Sequence, residues 1–362
     1  MAASPGSAKN NMDEIAIIGW SISPMVRRTD KTEAQMLLEV ISGAVEDAGI
    51  TRREVDFTCA GSCDYVAGQA FSFVQNIDAI GAWPPKRDSH IEMDGAWALY
   101  ECYLRLLLGD IDVAVAMGSG RSSTADPSSI YPMEMDPFYL APLGADAASF
   151  AALQARALLD AGKVTERQMA EVAARCRADA KDNPHAQVKG EFDVDVLLAE
   201  DYVRAPLRRH DLPPITDGAC AVVIARADRA RELCERPVWI TGFAHYAESH
   251  YPGMRDVRQA TSATLAAKAA GMEDGPAPEV AELQAAFTHE EPLLVDALGL
   301  GADATVNPSG GPLAANPIMA TGLVRIAEAA RNVRDQGTHR ALAHSTSGPC
   351  LQQNLVCIVE EA

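Results

Sequence analysis

Apolar residues recur along this chain with two alternating periods. Glu14-Ile-Ala-Ile-Ile18 is a near-continuous apolar run, as expected of a strand buried on both faces. Thr32–Ala48 puts Met36, Leu37, Val40, Ile41, Ala44, Val45 and Ala48 at helical spacing. Thr32 can cap that helix and Gly49 can stop it. Phe57–Ala60 predicts a second strand, Gly95–Leu108 a helix, and Asp112–Met117 the strand after it. Between them, Asp64–Gly81 carries Tyr65, Phe71, Phe73, Val74, Ile77 and Ile80, a stripe expected to lie in the core. Ser122–Tyr139, rich in Ser, Pro, Asp and Met, is expected to be a long loop or lid. Asp146–Asp160 and Thr165–Lys181 read as helices, the second with the Thr165…Gln168 spacing of a capping box.

The second half repeats the first. Helices are predicted over Thr261–Ala270, Phe287–Leu298 and Ile318–Asp335, and strands over Pro237–Phe243, Glu279–Leu283, Thr305–Asn307, Arg340–His344 and Asn354–Val359. Two copies of a strand–helix–strand unit imply a doubled α/β fold with a pseudo-twofold axis. The 362 residues suit such a pair. The expected organisation is a disordered tail over 1–12, one half over 13–120 and 211–240, an inserted segment over 121–210, and a second half over 241–362.

Composition removes some function classes. The chain is 48% hydrophobic and 22% charged, ordinary for a globular protein. Its net charge of −19 argues against nucleic acid or an anionic membrane as partner. The residues Met1–Met12 form no apolar leader core, and no apolar run approaches a membrane span. None of the 8 cysteines forms a Cys-x-x-Cys pair, and Cys59 and Cys63 have no matching second pair, so no metal is expected. A reducing, cytoplasmic setting follows from this cysteine usage.

Three stretches carry candidate chemistry. Thr305-Val306-Asn307-Pro308-Ser309-Gly310-Gly311 is a strand running into a glycine loop before a helix, a common place to hold a polar ligand. Pro214-Ile-Thr-Asp217-Gly-Ala precedes a buried apolar strand. His90, Glu92 and Asp94 cluster just before the helix at Gly95. Together with Ala315-Asn316-Pro317 and Ala320-Thr-Gly-Leu323, these motifs resemble thiolases of the sterol carrier protein x, or lipid-transfer, type. The resemblance spans roughly residues 13–362.

That resemblance implies a five-layer α/β/α/β/α thiolase fold. It also implies a nucleophilic Cys where Glu92 stands, a His where Asn316 stands, and a further His where Gln284 stands. The family's late Cys or His falls at Gly348, with Cys350 two residues on. The frame is kept while the groups that form a thioester and move protons are replaced. His90 and Asp94 beside Glu92 could form a polar plug or a rebuilt acid–base pair, and His289 with Glu290 a solvated cap or a catalyst. Arg208 and Arg209 could meet the phosphates of coenzyme A, or form surface ion pairs. Ser309, Gly310 and Gly311 are the other candidate ligand-holding residues.

By the same resemblance the ligand is a coenzyme A thioester, a steroid thioester among the candidates, and the setting is lipid or steroid side-chain catabolism. The expected form is a subunit of a heteromeric thiolase or aldolase complex, inactive alone in ordinary thiolysis. It would pair with a thiolase paralogue or a zinc-ribbon/OB-fold companion, or with itself. A retro-aldol acyl-CoA lyase and a lipid or acyl-CoA transfer protein are the alternatives.

Overall fold

The computed structural model describes residues 14–361 except Gln69. The tail expected over 1–12 lies outside the described residues. The first half contains β1 (Ile15–Ile22), α1 (Glu33–Asp47), β2 (Phe57–Gly61), α2 (Asp64–Ala67), α3 (Phe73–Ile80), β3 (Arg87–Ile91), α4 (Gly95–Leu108) and β4 (Val113–Arg121). An excursion follows through α5 (Pro127–Met133), α6 (Ala147–Asp160), α7 (Glu166–Asp179), α8 (Val194–Leu198), β5 (Tyr202–Arg204) and β6 (Leu207–Arg208). The chain then returns as β7 (Asp217–Arg226), α9 (Ala227–Leu233) and β8 (Val238–Ala247). The second half adds α10 (Thr261–Ala269), β9 (Val280–Leu283), α11 (Glu290–Ala297), β10 (Thr305–Val306), α12 (Gly311–Ala314), α13 (Thr321–Gln336), β11 (Arg340–Ser347) and β12 (Gln353–Glu360).

Ten strands form one ladder, β10-β9-β11-β12-β8-β1-β7-β4-β2-β3. Read outward from the central β1–β8 pair, the two halves have the same order: β1-β7-β4-β2-β3 mirrors β8-β12-β11-β9-β10. Pair directions match too. β2 is parallel to β3 and β4, as β9 is to β10 and β11, while β4–β7 and β11–β12 are antiparallel. Within the sheet, the strand pairing between the halves among the described residues is Ile15–Ile17 against Val238–Ile240.

Strand alternation sorts the core into layers. Val222 and Ile224 of β7 face inward with Leu99, Cys102 and Leu106 of α4, Leu323 and Ile326 of α13, and Leu355 and Cys357 of β12. Their neighbours Val223 and Ala225 face the other way, onto Met36, Leu37, Val40 and Ile41 of α1. Across the molecule, Leu342 and Val356 meet Ala263 and Ala266 of α10 and Leu294 of α11. α4 and α13 thus form a central layer between two sheet halves, with α1 and α10 outside them, which is the expected five-layer α/β arrangement. Local signals act as read: Thr32 and Thr165 close capping boxes with Gln35 and Gln168, each worth about 1 kcal/mol.

Two expectations need correction. The stripe over 64–81 is not core: Tyr65, Phe71 and Val74 are exposed and only Ile80 of the six is buried, because α3 packs mainly on the outer helix α1 rather than on the sheet. The expected loop over 122–139 contains a helix, α5, because Asp126 caps it and Pro127 opens it. Among the described residues no helix is long and apolar enough to cross a membrane.

Candidate functional site

The helices of the central layer both begin at one buried carboxylate. Asp94 is the N-cap of α4 and accepts the Ala96 N–H at 2.9 Å. The same side chain accepts the Gly322 N–H at 2.9 Å and the Leu323 N–H at 3.0 Å, from the first turn of α13. Two helix N-termini, each favouring an anion, therefore share it. Burial pushes the Asp94 carboxyl up from its ordinary value, and the three N–H groups and Arg325 oppose that rise. Glycine makes the convergence possible. A Cβ on Gly322 would overlap Ser345 Oγ and Asp94 Oδ1, and one on Gly118 would overlap the Met319 carbonyl.

The other predicted residues are largely committed to partners of their own. Gln284 Oε1 accepts from Ser345 Oγ at 2.7 Å and from the Thr346 N–H at 3.1 Å. Asn316 accepts from Thr321 Oγ1 at 2.9 Å and donates its N–H to Thr216 Oγ1 at 2.8 Å. His289 is fully buried on α11's N-cap, against Gln154 Oε1 at 3.2 Å, and burial lowers its pKa to about 3. Its neighbour Glu290 is held near pH 7 by burial, against the Phe287 and Ala286 N–H groups. Cys350 is buried among Met135 and Phe150, its thiol donates to the Phe150 carbonyl, and burial pushes its pKa up to about 12.

Glu92 sits apart from the helix amides. It precedes the cap by two residues, is 48% exposed, and accepts the Asp64 N–H at 2.6 Å. The first turn of α4 thus holds Asp94, while Glu92, which the resemblance aligns with the family's nucleophile, lies outside it. His90, at the carboxyl end of β3, stacks on Phe73 with 4.4 Å between centroids. His90 Nε2 lies 2.8 Å from Ser62 Oγ and 3.6 Å from Glu92 Oε2. Next to Ser62, the Cys63 thiol donates to Glu134 Oε1 at 3.2 Å. Burial raises the Cys63 pKa to about 12 and lifts Glu134 as well, with Glu92 adding to the latter. Ser62, Glu134 and Ser345 carry no signal in the sequence, where no spacing links them, and Cys63 enters there only as half of an incomplete metal pair. Asp94 carried a legible signal, an acidic residue directly before a helix that starts at Gly95.

The remaining candidates are separated. Arg208 is tied to Glu166 and lies over the Tyr202 ring, while Arg209 is exposed beside a cavity. Ser309 Oγ donates to Glu282 Oε2 at 2.7 Å in a buried network with Arg325. The close approach that Gly310 permits is by α7: a Cβ there would lie 2.8 Å from the Cys176 carbonyl.

An acetyl-CoA acetyltransferase of Methanothermobacter thermautotrophicus is 26% identical over 365 residues, 93% of this chain and 95% of the relative. The solved human mitochondrial 3-ketoacyl-CoA thiolase superposes with a TM-score of 0.80, covering 98% of this chain and 100% of its own, at 15% identity. The chain is a thiolase-superfamily homologue. A 17-hydroxy-3-oxo-4-pregnene-20-carboxyl-CoA lyase of Mycobacterium tuberculosis shares 25% identity with this thiolase homologue over 245 residues, 64% of this chain and 62% of the lyase. A structure described as an Ltp2-ChsH2(DUF35) aldolase also shares the fold, with a TM-score of 0.80 at 20% identity over 96% of this chain and 98% of its own. No family model matches the chain.

Proposed function

We propose that this chain is a thiolase-like subunit that handles acyl-CoA in lipid or steroid side-chain breakdown, does not perform thiolysis itself, and works in a complex with a second chain. One observation carries the reading: the amides that open α4 and α13 are occupied by the protein's own Asp94 carboxylate. An acyl-enzyme needs a thiolate and free donors for the thioester oxygen. The Cys63 and Cys350 thiols are both held near 12, and burial with the Asp94 charge raises the Cys220 thiol as well. The lyase and aldolase among the similar proteins support a steroid thioester as ligand and a complex as the working form. Exposed Phe71, Val74 and Trp83 beside β3 favour assembly through that edge. The test is turnover of a 3-oxoacyl-CoA with free coenzyme A by the purified chain. None is expected, and steady thiolysis would contradict the reading.

A second reading rests on Ser62, His90 and Glu92 at the carboxyl ends of β2 and β3. There a retro-aldol cleavage needs no covalent intermediate. The His90 ring takes the proton of a 3-hydroxyl, the Cα–Cβ bond breaks, and its electron pair moves into the thioester enolate, which is then protonated. The products are a carbonyl compound and a shortened thioester. Cleavage of a 3-hydroxyacyl-CoA that falls about 10²–10⁴-fold in His90→Gln would favour this reading over a passive subunit.

A further inference from the structure

An arginine cavity lies behind the Asn316 segment. Arg27 and Arg28, in the loop leaving β1, and Arg209, after β6, line a cavity of about 450 Å³. Most arginines of this acidic chain are paired, as Arg208 is with Glu166. Among the described residues, none of these three pairs with a carboxylate or donates a side-chain hydrogen bond. Asp217, beside the Arg27–Arg28 loop, is spent on building the site. The buried Asp217 carboxylate accepts the Thr29 N–H at 2.9 Å, the Ser123 N–H at 2.8 Å and Ser123 Oγ at 2.6 Å. Its backbone also bridges to Val26. Asp217 therefore pins the Arg27–Arg28 loop against the Ser123 rim and leaves the guanidinium groups without a counter-charge.

The cavity shares a wall with the candidate site. Gln187 and Val188 line it and donate their N–H groups to the Ala314 carbonyl, at 3.2 and 2.9 Å. Ile215 lines it, and the adjacent Thr216 accepts the Asn316 N–H. Next to Ser123, Ser122 Oγ accepts the Ile318 N–H at 3.1 Å. The loop that carries Asn316 is thus held by residues on or next to the cavity lining.

We propose that Arg27, Arg28 and Arg209 form an anion site for phosphate. Three guanidinium forks without counter-ions suit an oxyanion bearing two or more charges, because each fork can give it two parallel N–H bonds. The phosphate is either that of the acyl carrier's nucleotide or a free one. Its identification with the carrier rests on the acyl-CoA reading; the anion site itself does not.

The experiment is calorimetric titration of the full chain with 3′,5′-ADP and, separately, with inorganic pyrophosphate. Saturable binding is expected, weakened about tenfold by Arg27→Ala, Arg28→Ala or Arg209→Ala and lost when all three are changed. These side chains make no fixed contacts, so melting temperatures should stay put. Arg53→Ala, an exposed arginine outside the cavity, should bind as the parent does. Tighter binding of 3′,5′-ADP than of pyrophosphate assigns the site to a nucleotide carrier, and equal binding assigns it to free phosphate. No saturation by either probe, or binding that survives the triple change, overturns the proposal. If 3′,5′-ADP binds through the arginines but an acyl-CoA does not displace it, the acyl-CoA reading fails and the anion site stands.

Discussion

Two polar clusters, reached from Glu92 and Asp94 only two residues apart, behave in opposite ways. Asp94, with Gly322, Ser345 and Gln284, is buried, and its recorded polar atoms are matched to neighbours. Ser62, His90 and Glu92 are joined by looser contacts, one at 3.6 Å, and Glu92 is half open to water. A matched buried cluster fixes structure, because changing any member leaves another unsatisfied. A cluster on the rim has spare lone pairs and protons to offer a ligand. The difference assigns Asp94 to holding the two halves together, and it leaves the rim as the place where chemistry could still happen.

Substitutions at the two clusters should separate them. The largest effect is expected at Asp94. Asp94→Ala strands three buried N–H groups and should cost about 3–5 kcal/mol in urea unfolding. Asp94→Asn keeps one acceptor oxygen, for Ala96 and Leu323, but turns an amide toward Gly322, so a loss of about 1–3 kcal/mol is expected. A loss under about 1 kcal/mol in Asp94→Ala would remove the structural role.

A smaller effect with a definite sign comes from Glu290. Its pKa is raised from 4.5 to about 7 on folding, so between these values the folded chain binds more protons than the unfolded one. Stability from this group is full below the unfolded value and is lost as pH rises through about 7, by up to about 1.4 kcal/mol per pH unit. His289 acts in the opposite sense. Its folded pKa of about 3 lies below 6.5, so its contribution is full above the unfolded value and falls as the pH drops from there. Glu290→Gln should therefore gain on the parent as pH rises from about 5 to 7 and hold a constant offset above that. A difference independent of pH would mean that the carboxyl is not held protonated.

The smallest change is expected on the rim. Glu92→Gln keeps an oxygen for the Asp64 N–H, so stability should move by less than about 0.5 kcal/mol. If Glu92 only fills space, assembly and any acyl-CoA cleavage survive the change. A turnover loss of about 10²-fold or more with intact assembly would instead make Glu92 a base.

The fold was legible because its signals are local and repeated. The apolar run of β1, the caps at Thr32 and Thr165, and the second set of strands all follow from spacing. The site was less legible because it depends on tertiary choices. Asp94 directly before Gly95 was legible as a cap of α4, but only the folded chain shows that the same carboxylate also takes the amides of α13. His289 looked like a solvated cap on a helix start. It is buried because α11 packs into the second-half core through Leu293 and Leu294. Arg208 and Arg209 are adjacent in sequence, yet one is consumed by Glu166 and the other faces a cavity shared with a loop some 180 residues earlier.

The central claim is that no acyl group is carried on this chain. Its most direct test is intact-protein mass spectrometry after incubation with a 3-oxoacyl-CoA, followed by peptide mapping. The expected result is an unmodified 38.5 kDa chain. A stoichiometric acyl adduct on Cys63 or Cys350 would contradict it and make that thiol a nucleophile.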